Sequence, residues 1–277
     1  MQTQSIELEI RRVRHPLKVR ALTIAAVTRL TPHMVRLTLT GDSLADLNTD
    51  GFDDHVKLML PAPGAGELVF PPMSADGRPD WEGSGLTPPV MRDYTPRRLD
   101  RAARELEIDF ALHGSGPAAL WASAARVGDT VHIGGPRGSM VVPADLQWQW
   151  LIGDEAALPA IARRLEELGP QVKVTVVLET GHDDALPPLD LAGARQLIVV
   201  RRPDAGTSAE LAAPLANAVR ALATPVGRGH AFAAAESQTV KAVRAVLIGE
   251  HGLTNSQVRA SAYWRRGDSG HHENLDG

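Results

Sequence analysis

The sequence predicts an antiparallel β-barrel followed by a parallel α/β unit, and a change of pattern along the chain supports this fold class. From residue 20 to about 142, apolar residues recur at every second position, as half-buried antiparallel strands require. After about residue 147, apolar strands alternate with helical segments, which indicates a parallel sheet covered by helices. We therefore expect one domain over 1–146, a second over 147–268 and a flexible tail over 269–277.

The strands of the first half are identified by strict alternation. In "HMVRLTLTG", Val35, Leu37 and Leu39 face one side while charged and hydroxyl residues face the other. The same period recurs in "DHVKLML" and "ELEIDFALH". Turn-forming stretches such as "PAPGAGE" and "GPRGS" separate these runs, and short strands with such punctuation predict a small barrel.

The elements of the second half follow in the order strand, helix, strand. "WQWLIG" precedes "DEAALPAIARRLEEL", in which Leu158, Ile161, Leu165 and Leu168 share one helical face. Further strands are predicted in "VKVTVVLE", "RQLIVV", "HAFAAA" and "VRASAYW". Between them the apolar spacing predicts one helix around residues 211–222 and another over 237–250.

Composition excludes several classes of function. The chain has no cysteine, so disulfides, thiolate-bound zinc and cysteine-ligated iron–sulfur clusters are excluded, and redox chemistry would need a bound cofactor. A net charge of −4 with interspersed signs gives no reason to expect a nucleic-acid or membrane partner. There is no apolar run of about 18 residues and no signal-peptide pattern, so we expect a cytoplasmic protein.

The stretch "RDYTPRR" combines a scarce aromatic residue with groups that bind anions. Tyr94 is one of only two tyrosines, and it stands between Arg92-Asp93 and Thr95. An aromatic ring can stack on a flat cofactor, and an arginine fork suits phosphate oxygens. These are the groups that a flavin nucleotide needs. A strand end with a cluster of solvent-exposed arginines is the alternative interpretation of the same residues.

The stretch "HGSGPAALWASA" predicts a turn that opens a helix. Gly114 and Gly116 allow close approach of the backbone to a ligand, and Pro117 suits the first helical turn. The free N–H groups at such a helix start bind anions, so a cofactor diphosphate can sit there with His113 as a further donor. An ordinary strand–turn–helix connection is the alternative.

Taken together, these motifs resemble the siderophore-interacting, FAD-binding proteins, a branch of the ferredoxin–NADP reductase superfamily. The resemblance covers nearly the whole chain and rests on "LTPHMVRLTLTGDSL", "DDHVKLMLP", "RDYTPRR", "FALHGSGPAALWASAARVGD", "GGPRG", "GDEAALPAI" and "YWRRG". It implies an FAD-binding antiparallel barrel and a parallel α/β nucleotide-binding domain of ferredoxin–NADP reductase type. It also implies reduction of ferric siderophores by NADPH or NADH through FAD.

The resemblance also implies which residues of this sequence bind the cofactors. In such proteins "GDEAALPAI" lies at the junction of the domains, although this chain has Ala156 where many relatives have Thr. Trp264, next to Tyr263, resembles the aromatic residue that relatives bring to the flavin. The cofactor-binding residues that we expect are Arg92, Asp93, Tyr94, Thr95, Asp109, Leu112, His113, Gly114, Gly116, Pro117, Ala118, Asp154, Glu155, Ala157 and Trp264.

The expected substrate is a ferric siderophore, with Lys57, Arg265 and Arg266 as candidate contacts for its negative charge. No acid–base residue is assigned, because hydride and electron transfer belong to the cofactor. No metal site is expected, since His271 and His272 lack further preorganised ligands. We expect a monomer. A general NAD(P)H:flavin reductase, or an FAD-containing siderophore-binding protein with little turnover, remain alternatives.

Overall fold

The computed structural model describes residues 8–62, 68–72, 79–112, 116–189, 191, 195–268 and 273–275. Contacts divide the chain into two units. The sheet unit comprises Arg12–Leu30 and Val35–Ser139, and the α/β unit comprises the described residues of 1–11, 31–34 and 140–277. The predicted His113, Gly114, His271 and His272 lie outside the described residues. The predicted domain boundary after residue 146 stays a prediction.

The strands and helices follow the predicted change from one half to the other. The strands are β1 (Arg11–Arg14), β2 (Val19–Thr31), β3 (Met34–Thr40), β4 (Val56–Leu60), β5 (Val90–Tyr94), β6 (Arg98–Asp100), β7 (Glu105–Ala111), β8 (Thr130–Gly134), β9 (Gly138–Val141), β10 (Trp148–Gly153), β11 (Lys173–Thr180), β12 (Arg195–Arg201), β13 (Gly229–Glu236), β14 (Val258–Trp264) and β15 (Glu273–Asn274). The helices are α1 (Trp81–Ser84), α2 (Pro117–Ala124), α3 (Leu158–Glu167), α4 (Ser208–Arg220) and α5 (Ser237–Gly249), with 3-10 turns at Asp42–Asp46 and Asn255–Gln257.

The sheet unit is built on a seven-stranded sheet in the order β5-β4-β8-β2-β3-β7-β6, and a second small sheet pairs β1 with β9. Antiparallel registers join β5 to β4, β4 to β8, β8 to β2 and β6 to β7. In β4, Val56, Leu58 and Leu60 are buried and alternate with more exposed residues, as the period of two predicts. The predicted antiparallel N-terminal half is confirmed.

The α/β unit contains a sheet in the order β12-β11-β10-β13-β14-β15, in which β10 to β14 all run parallel. The strands β10 and β13 are buried along their whole length, as a sheet covered on both faces requires. The predicted parallel α/β half is also confirmed. Because parallel strands end at the same edge, the residues that follow β10, β11, β12, β13 and β14 come close together.

A short strand lies within the segment predicted as a flexible tail. Glu273–Asn274 form β15, which pairs antiparallel with Ser261 and Ala262 of β14. The Leu275 N–H also donates to the carbonyl of Ala260 at 2.8 Å. A strand at the edge of a sheet has unpaired backbone N–H and C=O groups. This short segment pairs with part of the outer edge of β14 and so provides hydrogen-bond partners there.

Candidate functional site

The motif "RDYTPRR" lies where β5 ends, beside β4. Asp93 is opposite Lys57 in the register, and the Lys57 ammonium lies 2.8 Å from the Asp93 carboxylate. Arg92 donates from Nη1 to the carbonyl of Met91 at 2.7 Å. This bond uses one of the five guanidinium N–H donors and orients the fork. Thr95 follows the strand and is buried.

The aromatic residue of this motif connects β5 with β7 and α2. The ring centroids of Tyr94 and Phe110 are 4.4 Å apart, and those of Phe110 and Trp121 are 5.9 Å apart. Burial raises the pKa of the Tyr94 hydroxyl, against the opposing charge of Arg92. Tyr94 is therefore a neutral hydrogen-bond donor at physiological pH.

Helix α2 begins as the sequence predicts. Gly116 is its N-cap residue and Pro117 opens the first turn. A glycine N-cap has no side chain with which to cap the first N–H groups, and a Cβ built on Gly116 would meet nothing within 4 Å. The helix start beside the buried Ala118 is thus open to an incoming anion.

Asp109 has a well-defined partner inside the sheet unit. Arg36 donates from Nε to Asp109 Oδ1 at 2.6 Å and from Nη2 to Oδ2 at 2.9 Å. Such a two-point bond is strong and directional, so it fixes the two strands that carry these residues. A cofactor contact for Asp109, or for the half-buried Leu112 beyond it, stays a prediction.

The residues of the sheet unit fit FAD by the chemistry of their donors. An arginine fork, a hydroxyl group and an uncapped helix start are suited to a diphosphate, and Tyr94 supplies an aromatic face. The family comparison below points to the same group. Direct contacts of Arg92, Asp93, Tyr94 and Thr95 with FAD remain proposals.

The second cluster lies in the α/β unit, at the edge where the parallel strands end. Asp154, directly after β10, is almost completely buried. Its Oδ1 accepts from the Ala156 N–H at 2.9 Å, and its Oδ2 accepts from Trp264 Nε1 at 2.7 Å. Asp154 does not cap helix α3. Ala157 is the N-cap residue, because the Asp154 side chain bonds within the preceding turn.

Arg202, at the end of β12, connects this turn to β11. Its Nη2 lies 2.5 Å from Glu155 Oε2, and its Nε lies 2.9 Å from Glu179 Oε2. Glu155 Oε1 also accepts from the Gly181 N–H at 2.8 Å. Both carboxylates are buried, so the guanidinium partly compensates two charges that water cannot reach.

The titration of this cluster is set by burial and by Arg202. Burial is the largest cause and raises the pKa of Asp154, against the nearby charge of Arg202. Burial likewise raises the pKa of Glu179. For Glu155, burial opposes ionisation, but the Arg202 charge and the Gly181 N–H outweigh it and lower the pKa. Glu155 is thus the carboxylate that stays charged most readily.

Trp264 completes the cluster from the end of β14. The Arg202 guanidinium carbon is 5.8 Å from the centroid of its ring, and that of Arg266 is 5.9 Å from it. The backbone N–H of Arg266 donates to Glu236 Oε1 at 3.3 Å. Arg265 and Arg266 are both exposed. A small cavity of about 30 Å³ lies beside this cluster, lined by Glu179, Arg202, Ser208, Leu211, Glu236, Thr239 and Arg266.

Sequence reasoning found Asp154, Glu155 and Trp264 but missed Arg202, Glu179 and Glu236. A signal was present, because each missed residue ends or directly follows an apolar strand in "VVLET", "LIVVRR" or "AFAAAE". Polar residues at the carboxyl ends of parallel strands converge on one edge, where ligands of such sheets bind. Applying that rule to every strand, rather than to β10 alone, would have found them.

Within the described part of the chain, no helix is long and apolar enough to cross a membrane. The described residues also contain no group of three or more His, Cys, Asp or Glu side chains that could hold a metal ion.

The described architecture is the fold of the ferredoxin reductases. A ferredoxin reductase of carbazole 1,9a-dioxygenase shares this fold with a TM-score of 0.60 at 16% identity, covering 91% of this chain and 67% of that one. Residues 23–140 match the siderophore-interacting FAD-binding domain, and residues 146–267 match the siderophore-interacting protein model. The chain belongs to the siderophore-interacting protein family, as its motifs predict.

Named relatives and a solved structure agree with this assignment. The NADPH-dependent ferric-chelate reductase of Escherichia coli (strain K12) is 41% identical over 185 residues, which are 65% of this chain and 71% of that protein. The ferric vibriobactin reductase ViuB of Vibrio cholerae is 33% identical over 87% of this chain and 88% of its own. A siderophore utilization protein from T. fusca superposes with a TM-score of 0.84 at 37% identity, covering 95% and 98% of the two chains.

Proposed function

We propose that this protein reduces ferric siderophores with electrons from NADPH or NADH, through FAD, and so releases iron(II). The observation that carries the proposal is the similarity to a ferric vibriobactin reductase across 87% of this chain. Catecholate and hydroxamate oxygens hold iron(III) tightly and iron(II) far more weakly, because iron(II) is larger and less charged. Reduction of the metal is therefore its release.

The sheet unit would hold FAD. The Arg92 fork and the uncapped start of α2 would bind its diphosphate, Thr95 would donate a hydrogen bond, and the Tyr94 ring would lie against its flat ring system. When bound, FAD supplies a group that accepts a hydride and passes electrons on one at a time. The chain's own residues bind and orient it, and none needs to abstract a proton.

The α/β unit would receive the nicotinamide nucleotide at the carboxyl edge of its sheet. The turn of Asp154, Glu155 and Ala157 is held by side-chain bonds to Trp264 and Arg202, so its shape is fixed before a ligand arrives. A preorganised turn loses less conformational entropy on binding. The name of the Escherichia coli relative, an NADPH-dependent ferric-chelate reductase, supports a nucleotide site in this chain.

The substrate would be attracted by cationic side chains. Arg265 and Arg266 are exposed, whereas Lys57 is partly neutralised by Asp93 at 2.8 Å. Ferric tris-catecholates carry negative charge, so local arginines can attract them although the net charge of the protein is −4. The two arginines are therefore the stronger candidates for substrate binding.

The test is the oxidation of NADPH and of NADH by purified, FAD-loaded protein, with and without a ferric siderophore, while a ferrous chelator reports iron(II). We expect nucleotide oxidation to depend on the siderophore and iron(II) to appear at two equivalents per nucleotide. Reduction of free flavin without acceleration by the siderophore would favour a general flavin reductase. Tight siderophore binding without turnover would favour a binding protein.

We further propose that the protein acts in the cytoplasm as a monomer. Siderophore reduction there would deliver iron(II) where NADPH and NADH are available. Size-exclusion chromatography with light scattering, over a hundredfold range of protein concentration, tests the oligomeric state. Fractionation of cells that express the full chain tests the compartment.

A further inference from the structure

Arg202 contacts three other segments at the carboxyl edge of the α/β sheet. Its backbone N–H donates to the Thr180 carbonyl at 2.8 Å, at the end of β11. Its side chain reaches Glu155 in the turn after β10, Glu179 in β11 and the ring of Trp264 in β14. Arg202 therefore joins the ends of four strands through one side chain.

The geometry of these contacts needs a forked cation. Nε faces Glu179 at 2.9 Å while Nη2 faces Glu155 at 2.5 Å and Asp154 Oδ2 at 3.9 Å. Lysine carries its charge on one atom and cannot face two carboxylates in fixed directions at once. Without the guanidinium, three buried carboxylates would be left without the cation that now lies among them.

The same arrangement leaves Arg202 little capacity to hold a phosphate. Its Nε and Nη2 groups are directed to Glu179 and Glu155, and three carboxylates surround it. A phosphate approaching that guanidinium would meet three carboxyl groups at short range, of which Glu155 is the one that ionises most readily. The adjacent Arg201 is half exposed and faces the exposed side chains of Asp183 and Asp204, so it differs from Arg202 in every contact.

We propose that Arg202 is a positioning residue for the nicotinamide nucleotide: it holds the 154–157 turn and Trp264 in their binding shape and does not itself bind a nucleotide phosphate. The proposal rests on the proposed function in one respect, that the nucleotide binds at this edge. If Arg202 is a positioning residue, its substitution should reduce the affinity for NADPH and for NADH by the same factor. Direct contact with the 2′-phosphate, which only NADPH carries, predicts a loss for NADPH alone.

The test compares Arg202→Gln and Arg202→Lys with the control Arg201→Gln in the full, FAD-loaded protein. Ferricyanide serves as electron acceptor, so that the assay does not depend on siderophore reduction. Dissociation constants of NADP⁺ and NAD⁺ are measured by titration calorimetry. Because the chain has five tryptophans, the emission spectrum of each variant is compared with that of the same variant carrying Trp264→Phe, and the difference reports the surroundings of Trp264.

For Arg202→Gln we expect KM and the dissociation constants to rise roughly tenfold for both nucleotides, because a turn that is no longer held in place must be ordered when the nucleotide binds. We expect a smaller change in kcat, an altered tryptophan emission and an unchanged FAD content. Arg202→Lys should recover only part of the affinity, and Arg201→Gln should resemble the wild type. If Arg202→Gln does not fold, Arg202→Lys and Glu155→Gln are used instead, and the affinities for NADP⁺ and NAD⁺ are compared in the same way.

Three results would overturn the proposal. The first is a loss confined to NADPH and NADP⁺, which would place the 2′-phosphate on Arg202. The second is wild-type affinity for both nucleotides in the Arg202 variants, and the third is full rescue by lysine. Normal ferricyanide reduction by wild type without any siderophore reduction would instead contradict the proposed function and leave this inference intact.

Discussion

The indole Nε1 of Trp264 donates a 2.7 Å hydrogen bond to Oδ2 of Asp154, across 110 positions of sequence. Because Asp154 is almost completely buried, this donor is one of few groups that compensate its charge. The bond joins the last parallel strand to the turn after β10. An aromatic residue expected to face a flavin is therefore also a structural partner of the turn expected to receive the nucleotide.

We predict that Trp264→Phe destabilises the protein by about 1–3 kcal/mol at pH 7, because it removes the donor but keeps most of the ring. Burial already raises the pKa of Asp154, and loss of the N–H raises it further. A raised pKa of an acid gives stability at low pH that is lost as the pH rises through the folded-state value. The variant should therefore lose less stability at acidic pH than at neutral pH in urea unfolding, whereas Tyr263→Phe should show no such difference.

We predict that the purified protein is yellow and releases its FAD on heating or in acid. The chain has no cysteine through which a flavin could be linked, and the donors near β5 and α2 suit a non-covalent diphosphate. The measurement is the absorption spectrum before and after precipitation of the protein. A colourless protein that takes up no added FAD would contradict the proposed role of the sheet unit.

We predict that Arg92→Ala weakens FAD binding by roughly ten- to a hundredfold, the loss of about 1.5–3 kcal/mol from a charge-assisted contact with phosphate. Arg98→Ala is the matched control, because Arg98 is an exposed residue on β6, the next strand along the chain. Flavin fluorescence titration of the apoprotein gives both dissociation constants. Equal constants for the two variants would place the diphosphate away from Arg92.

The sequence predicted the strands more closely than the first turn of helix α3. "WQWLIG" and "VRASAYW" match β10 and β14 residue for residue, because buried apolar runs with clear ends leave little freedom. The helix predicted from residue 154 begins only at Leu158, since the Asp154 side chain bonds to Ala156 and shapes a turn first. A local side-chain bond of this kind overrides helical periodicity.

The periodicity of apolar residues could not predict which polar side chains pair with each other within each cluster. Arg36 and Asp109 are 73 positions apart, and Arg202 and Glu155 are 47 apart. Periodicity identifies which face of an element is buried, but the strand order decides which polar residues at strand ends become neighbours. The motif resemblance placed Asp154 and Glu155 at the site, yet it held no information on Arg202, which lies outside every quoted motif.

We predict that Asp54 makes the stability of the sheet unit dependent on pH. Burial is the largest cause and raises its pKa to about 6, although its Oδ2 accepts from Thr49, Gly51 and Ser139. Because the folded-state value exceeds the unfolded one, stability is highest at acidic pH and falls as the pH rises through 6. The difference in unfolding free energy between wild type and Asp54→Asn should change by roughly 2–3 kcal/mol between pH 4 and pH 8. A difference that does not vary with pH would show that Asp54 is ionised normally.

Finally, we predict that Arg265 and Arg266 act in capturing anionic ferric siderophores. Both side chains are exposed, and Arg266 lies 5.9 Å from the centroid of the Trp264 ring, beside the turn proposed to receive the nucleotide. Attraction between exposed charges weakens with salt, because screening acts over about 10 Å at 0.1 M. The double variant Arg265→Ala/Arg266→Ala should therefore lose roughly tenfold in kcat/KM for a ferric tris-catecholate at low salt, and its salt dependence should be nearly flat.

An uncharged ferric tris-hydroxamate provides the control substrate, since it offers no net charge for the arginines to attract. Its reduction should be nearly equal in wild type and double variant at every salt concentration. The double variant Arg220→Ala/Arg244→Ala, which removes one arginine from α4 and one from α5, controls for the same change in net charge. If the double variant and wild type reduce the catecholate at the same rate with the same salt response, the two arginines do not bind the siderophore, and Lys57 becomes the next residue to test.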